Sequence, residues 1–347
     1  MTKAPDAFND ALVEPGTTGL PERFFDRLMF NLHPTDSTSP SIILGAGVYP
    51  GANTVDGFLV VSDAGEQKNF RFSTELDSTD GTTVGPLSWT LDEPMTRWRL
   101  TLAPNPTGLE GDVVWTARTP AWTGSVTVEN GDAPSSTFDH LFQSGTYEGV
   151  LRLDGRRITV DGWYGQRDRS RGVRTMAGGQ GLHVWFQGQF DDRSIGFLLV
   201  EGRDGSRLLL EGAVMATDGS LDGVTAVTHD LRFDDGLDLV GGRILVTTRS
   251  GVEYDVAIDA SARGGYMAGA GYGGQHGKPR GLDHEEYDVY PLDGSVTPRT
   301  VDTALTDRLS LLEWDGRRGI GIVEFAHSRS ASYLYVPSLT TNQGDHP

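Results

Sequence analysis

The sequence contains no cysteine. That absence excludes disulfides, thiol nucleophiles, cysteine-ligated zinc and iron–sulfur clusters together, while leaving the redox compartment open. Basic residues are also in short supply: 29 Lys and Arg stand against 48 Asp and Glu, for a net charge of −19. Both halves of the chain are acidic, so neither offers a basic face to a phosphate backbone or an anionic membrane, and nucleic acid is excluded as a partner. Long hydrophobic runs are missing too. No stretch approaches the ~18 apolar residues of a membrane-spanning helix. The start, MTKAPDAFNDALVEPG, has neither the basic nor the apolar region of a signal peptide. Together these absences predict a soluble, cytoplasmic protein without a transmembrane segment.

Glycine, in contrast, is abundant: 46 of 347 residues, accompanied by 17 Pro, where about 7% Gly is usual. So many backbone breakers suit short strands and turns better than long helices. Seven Trp, ten Tyr and fourteen Phe supply core material and argue against disorder. At roughly 150 residues per domain, the length predicts two domains.

One helix is predicted near the start, opened by Pro21, because Phe24, Phe25, Leu28, Met29 and Leu32 share a face at 3.6 spacing. A second, short helical turn is expected over 136–142, with Ser136 as its cap and Phe138, Leu141 and Phe142 turned inward. From Ser41 onward the period is two. Trp98, Leu100 and Leu102 alternate with polar residues, as do Leu182, Val184 and Phe186, and Val252, Tyr254, Val256 and Ile258, which is the pattern of strands with one wet face. Between such runs lie Asp154-Gly155, Asp204-Gly205, Ser250-Gly251, Asp293-Gly294 and Asp315-Gly316, all hairpin signals. Strands joined in this way build antiparallel barrels or sandwiches. Asp-Gly-Arg-Arg recurs between two strands at 154–157 and 315–318, which points to a duplicated β domain. The glycine cluster MAGGQG at 176–181 marks the boundary, giving domains 1–177 and 178–347.

Several chemical signatures are absent. No G-x-S-x-G elbow is present, and Asp283-His284-Glu285-Glu286 lacks the second His of an H-E-x-x-H zinc site. The stretch 269–274 satisfies G-x-G-x-x-G literally, but GQHGKPRG runs on from it and supplies no helix N-terminus for a pyrophosphate. No cofactor is therefore expected, and no metal.

The densest constellation is 161–174, where Arg167, Arg169, Arg171 and Arg174 surround Asp168. Strand alternation places Arg167, Arg169 and Arg171 on one face, and Gln166, Asp168 and Ser170 on the other. A carboxyl group enclosed by apolar walls holds its proton at neutral pH and can act as a general acid. The alternative is a structural Asp168, ion-paired with the flanking arginines.

This stretch resembles the R-D-H-S-W-G box of the tandem lipocalin-like superfamily, which includes carotenoid 1,2-hydratase (hydroxyneurosporene synthase) and the lipocalin-like Diels-Alderases. Arg167, Asp168, Ser170 and Gly172 match the box. FDHLFQSGTYEGVLRLDG, with His140 and Gly145, is similar to the segment that precedes it; GAGYGGQHG resembles a loop of the second domain, and PLSWTLDEPMTRWRLTL resembles part of the first. The likeness spans roughly residues 40–290. It implies an all-β chain of two tandem antiparallel lipocalin-like barrel or sandwich domains with few short helices, holding a small hydrophobic molecule at or near their interface. In the hydratases the box reads Y-H-D-H-N-W-G, and its Asp is implicated in protonating an isolated alkene; that Asp corresponds to Asp168. Gln166, Arg169 and Arg171 replace the box Tyr, second His and Trp, so carotenoid hydration as such is not implied.

The expectation is a cofactor-independent lyase- or isomerase-type enzyme acting on an isoprenoid, polyketide or aromatic molecule. Asp168 is its general acid or base, Arg167 orients or charge-stabilises it, and His140 is a pocket base or relay, with a capping residue as the alternative for His140. Trp163, Tyr164 and Gln166 are expected to line the pocket. Tyr272 and His276 are expected to close over it from the glycine-rich span 263–281. A non-catalytic carrier of hydrophobic ligands is the competing reading, and a homo-oligomer is compatible with either.

Overall fold

The computed structural model of the protein describes residues 8, 11–130, 133–173, 180–202, 204–268, 276–301 and 305–327. Two short 3₁₀ turns, at Pro50–Ala52 and Leu76–Ser78, interrupt a succession of antiparallel strands. The first group is β1 (Phe24–Leu32), β2 (Ser41–Tyr49), β3 (Thr54–Asp63), β4 (Glu66–Glu75), β5 (Thr83–Val84), β6 (Leu87–Glu93), β7 (Arg97–Leu102), β8 (Leu109–Ala117), β9 (Trp122–Asn130), β10 (Ala133–Leu153) and β11 (Arg156–Val173). The second is β12 (Gln180–Gln189), β13 (Arg193–Gly202), β14 (Arg207–Ala216), β15 (Leu221–Phe233), β16 (Leu239–Thr248), β17 (Glu253–Asp259), β18 (His284–Pro291), β19 (Thr306–Trp314) and β20 (Arg317–His327).

The first group forms a curled sheet in the order β18-β4-β3-β2-β1-β11-β10-β8-β7-β6-β5, with β9 alongside β10. The second closes into an eight-stranded barrel, β12-β13-β14-β15-β16-β17-β19-β20. The chain is thus all-β, two lipocalin-like units in tandem. One strand crosses over: β18 leaves the barrel's stretch of sequence to pair with β4 at the edge of the first sheet, so a cut at 177/178 separates β18 from the sheet it completes.

Neither predicted helix forms. Phe24–Leu32 is strand β1, with every residue but Arg27 buried. A strand covered on both faces reads as a nearly continuous apolar run, and the four-residue steps from Phe24 to Leu28 to Leu32 fit a period of two as well as one of 3.6. The tertiary pairing decides: β1 is held between β2 and β11. Residues 136–142 lie likewise within β10, which pairs with β9 over its first part and with β8 from Gly145 onward.

The two Asp-Gly-Arg-Arg hairpins join β10 to β11 and β19 to β20, with φ of 50° and 79° at Asp154-Gly155 and of 50° and 71° at Asp315-Gly316. Left-handed φ at both turn residues is the geometry that Asp-Gly tolerates and most residues do not. Asp293-Gly294 follows β18 and joins no paired strands.

Three large apolar clusters and a smaller one around Phe25 and Phe138 organise the packing of the described residues. Phe30, Trp98, Trp115 and Tyr147 lie within the curl of the first sheet. Phe186, Phe197, Val246 and Phe325 fill the barrel. The third cluster lies between the two, where Met29, Phe58 and Phe142 from the outside of the first sheet meet Trp185, Leu198 and Ile322 from the outside of the barrel.

Candidate active site at the junction of the two sheets

Strand pairing places two rows of side chains face to face at this junction. On the first sheet, Trp122, Phe142, Asp168, Met29 and Phe58 follow one another across β9, β10, β11, β1 and, beyond Gly45 of β2, β3. On the barrel, Asp307, Glu324, Trp185, Leu198 and Glu211 follow across β19, β20, β12, β13 and β14. Residues opposite one another in antiparallel strands share a face, so the first row presents one carboxylate and the barrel row three, among aromatic and aliphatic neighbours.

The rows are joined through His140. Its Nε2 lies 2.6 Å from Oδ2 of Asp168, and its Nδ1 lies 2.6 Å from Oε1 of Glu211. The imidazole is therefore a bridge between the sheets, with Trp122, Phe138 and Phe142 packed around it at ring distances of 5.6–6.2 Å. Burial opposes a charge on this ring, but the carboxylates of Asp168 and Glu211 outweigh burial and push His140 up to about 10. At neutral pH both ring nitrogens carry protons and donate, one to each carboxylate. Among the described residues none donates to Oδ1 of Asp168, which leaves that atom for another partner.

Asp168 and His140, 28 residues apart in sequence, are thus brought together. Arg167 is not brought with them. It points to the opposite face of β11, into the curl of the first sheet, where Nη2 donates to Oε1 of Gln143 at 3.1 Å and the guanidinium lies 5.5–5.6 Å from the rings of Trp115 and Trp98. Alternation along the strand is the reason, and it removes Arg167 from the role of orienting Asp168. The other flanking arginines also turn inward: Arg169 forms a two-point ion pair with buried Asp26, at 2.9 and 3.0 Å, and Arg171 lies over Phe24.

Gln166 and Tyr164 do face the junction. Gln166 is buried and donates from Nε2 to Oε1 of Gln187 on β12, and Tyr164 lies beneath Arg118 at 4.5 Å. Arg118 in turn donates to the carbonyls of Phe190 and Asp191 in the β12–β13 turn, so both residues tie the sheets together beside the acidic group. Trp163 points the other way and packs on the core of the first sheet.

The expected gate divides. Arg263, Tyr266 and their neighbours are strapped down: Arg263 bonds to Asp234 and Asp238, the Tyr266 hydroxyl donates to Asp238 at 2.6 Å, and Gln67 and Asn69 donate to the Tyr266 carbonyl. Tyr272 lies outside the described residues. His276 sits at the β2–β3 end, 3.9 Å from Asp56, on a cross-strand row where Arg27 and Gly47 separate Asp56 from Ser170 of the Asp168 strand.

Sequence reasoning missed the barrel's half of the site: Glu211, Glu324, Asp307 and His183. His183 Nε2 lies 2.5 Å from Oε1 of Glu324. For Glu211 and Glu324 the signal is a lone ionisable residue in an apolar stretch, as in LLLEGAV and GIVEFA. Among the described residues, no group of three or more His, Asp and Glu is arranged to hold a metal ion, and no helix is long and apolar enough to cross a membrane.

Known structures share this architecture. An AttH candidate from Nitrosomonas europaea (NE1406) superposes with a TM-score of 0.59 at 13% identity, covering 91% of this chain and 98% of its own. Kievitone hydratase from Nectria haematococca superposes with a TM-score of 0.51 at 12% identity, covering 94% and 96%. At such identities the likeness is one of fold, the tandem lipocalin-like arrangement. No curated protein matches by sequence. A family model does match, over residues 11–333, and by it the chain belongs to a family of unknown function, DUF8625.

Proposed function

We propose that this protein is a cofactor-independent enzyme of the lyase or isomerase type, acting on a small hydrophobic molecule held where the two sheets meet. The observation that carries the reading is the Glu211–His140–Asp168 chain, which spans the junction inside an aromatic and aliphatic surround. Asp168 is the acid/base group. As a carboxylate bonded through Oδ2 to a charged imidazole, it is oriented and has Oδ1 to accept a proton from carbon, hydroxyl or water. His140 and Glu211 spread the change in charge, and an apolar surround strengthens each of these interactions. Water addition or loss and double-bond migration both need this step. The structural neighbour named a hydratase agrees with that range of chemistry through its fold.

The same three residues also clamp the sheets together, which favours a second reading as a carrier. Asp168→Asn separates the two. In the enzyme, turnover of a ligand identified by native mass spectrometry falls by at least ~10²-fold, while ligand binding persists and the melting temperature moves by a few degrees. In a carrier the variant melts lower and releases ligand more readily, and no chemical change of the ligand is seen with either protein.

A further inference from the structure

Resting on the reading of Asp168 as the proton acceptor, we propose that Asp307 of β19 is the proton donor of the same site. Asp307 is 1% exposed and stands in the barrel row beside Glu324, with Leu309 of its own strand and Leu305, just before that strand, in the apolar cluster of the junction. Its sequence neighbour Arg308 offers no neutralisation, because it turns to the other face and bonds to Asp238 and the carbonyls of Ala262 and Gly264. The charges that act on Asp307 are those of Glu324, its cross-strand partner, itself bonded to His183, and of Asp168 on the first sheet, itself bonded to His140. Ionised, Asp307 and Glu324 are two acceptors with no hydrogen bond to share, and both Asp307 oxygens are then without a partner. A proton on Asp307 supplies that bond. Burial first, then the neighbouring charges of Glu324 and Asp168, raise Asp307 well above the usual carboxylate range.

One carboxyl group that holds a proton, with a second placed to accept one, is what acid/base chemistry on an unactivated molecule requires. In a hydration, the Asp307 proton goes to an alkene carbon as the π bond breaks, water forms the new C–O bond to the resulting cation, and the surplus water proton goes to Asp168. In a double-bond shift, Asp168 takes a proton from one carbon while Asp307 gives one to another. Either way the enzyme ends with the proton on Asp168, and exchange with solvent restores the starting state.

Two measurements test this. The first needs no substrate: infrared spectra at pH 7 should show a protonated-carboxyl carbonyl band that is lost in Asp307→Asn and kept in Asp168→Asn, and in Glu324→Gln the band should titrate at lower pH than in the wild type. A band that survives Asp307→Asn, or no band in the wild type, overturns the proposal. The second follows a panel of C10 and C15 isoprenoid alkenols and prenylated phenols in D2O, read by mass spectrometry for water addition or deuterium incorporation. For any compound the wild type converts, Asp307→Asn should lose at least ~10²-fold in rate with its melting temperature unchanged or raised. Loss in Asp168→Asn with full activity in Asp307→Asn overturns the donor and leaves the proposed function standing. Full activity in both variants overturns the proposed function itself.

Discussion

At the scale of single residues, glycine decides how closely the two units approach. Gly196 of β13 faces the junction, and a Cβ built there would lie 2.5 Å from the ring of Phe142. The barrel surface is therefore hollowed at one position to receive that ring, which stacks on Trp122 at 4.8 Å. Gly196→Ala should force the ring away and cost about 1–3 kcal/mol, the usual range for overpacking a close-packed contact, measured as a lowered midpoint of chemical denaturation. On the other face of β11, the Asp26–Arg169 pair is wholly buried. Asp26→Asn removes the buried carboxylate that makes both bonds of this pair to the guanidinium, and a loss of roughly 3–5 kcal/mol is expected.

Among the elements, β10 and β11 carry the first sheet's half of the site, since His140, Gln166 and Asp168 all lie on them. Their length, 21 and 18 residues, lets one end face the junction while the other closes the first sheet. β10 changes partner from β9 to β8 at Gly145, whose missing side chain admits the Trp115 ring; a Cβ there would meet it at 2.3 Å. The strap over 260–268 does a comparable job for the barrel. Arg308 binds its carbonyls, and the Tyr266 hydroxyl reaches Asp238. Tyr266→Phe removes one hydrogen bond to a buried carboxylate. A loss of about 1.5–3 kcal/mol is expected, with faster hydrogen exchange confined to the strap and to β19 if the strap is what orders that strand.

For the whole molecule, buried histidines set opposing limits on stability. His140 is held up to about 10, above the ordinary 6.5. Its proton therefore stabilises the folded chain fully below about pH 6.5, and that contribution is lost as pH rises through about 10. His33 and His327 are pushed down to about 4 by burial. The unfolded chain protonates them first, so stability falls as pH drops from about 6.5 toward 4. Asp307 acts in the alkaline sense as well, because its raised proton affinity costs stability progressively above about pH 4. Thermal melting should be most favourable near neutral pH. His140→Gln should flatten the alkaline limb by several degrees and His327→Gln the acid limb, while equal slopes in variant and wild type would remove these groups as the cause.

The sequence alone determined the all-β class and most of the hairpins, and it singled out the residues proposed for one half of the site, because these depend on local information. Period-two alternation, left-handed turns at Asp-Gly and the succession Arg167-Asp168-Arg169 are all written in neighbouring residues. Only the tertiary structure decided that Phe24–Leu32 is a strand, since pairing with β2 and β11 buries both of its faces and a doubly buried strand loses its alternation. It alone decided that Arg167 faces the first core, that Glu211 reaches Asp168 through His140, and that Glu324 and Asp307 share Glu211's row on the barrel. Those acids lie 43, 156 and 139 residues further along the chain, and their approach depends on how the outside of one sheet packs against the outside of another, a surface relation that strand periodicity does not encode. The return of β18 to the first sheet belongs with it, because an edge strand is recruited by the open hydrogen bonds of its neighbour, whichever part of the chain supplies them.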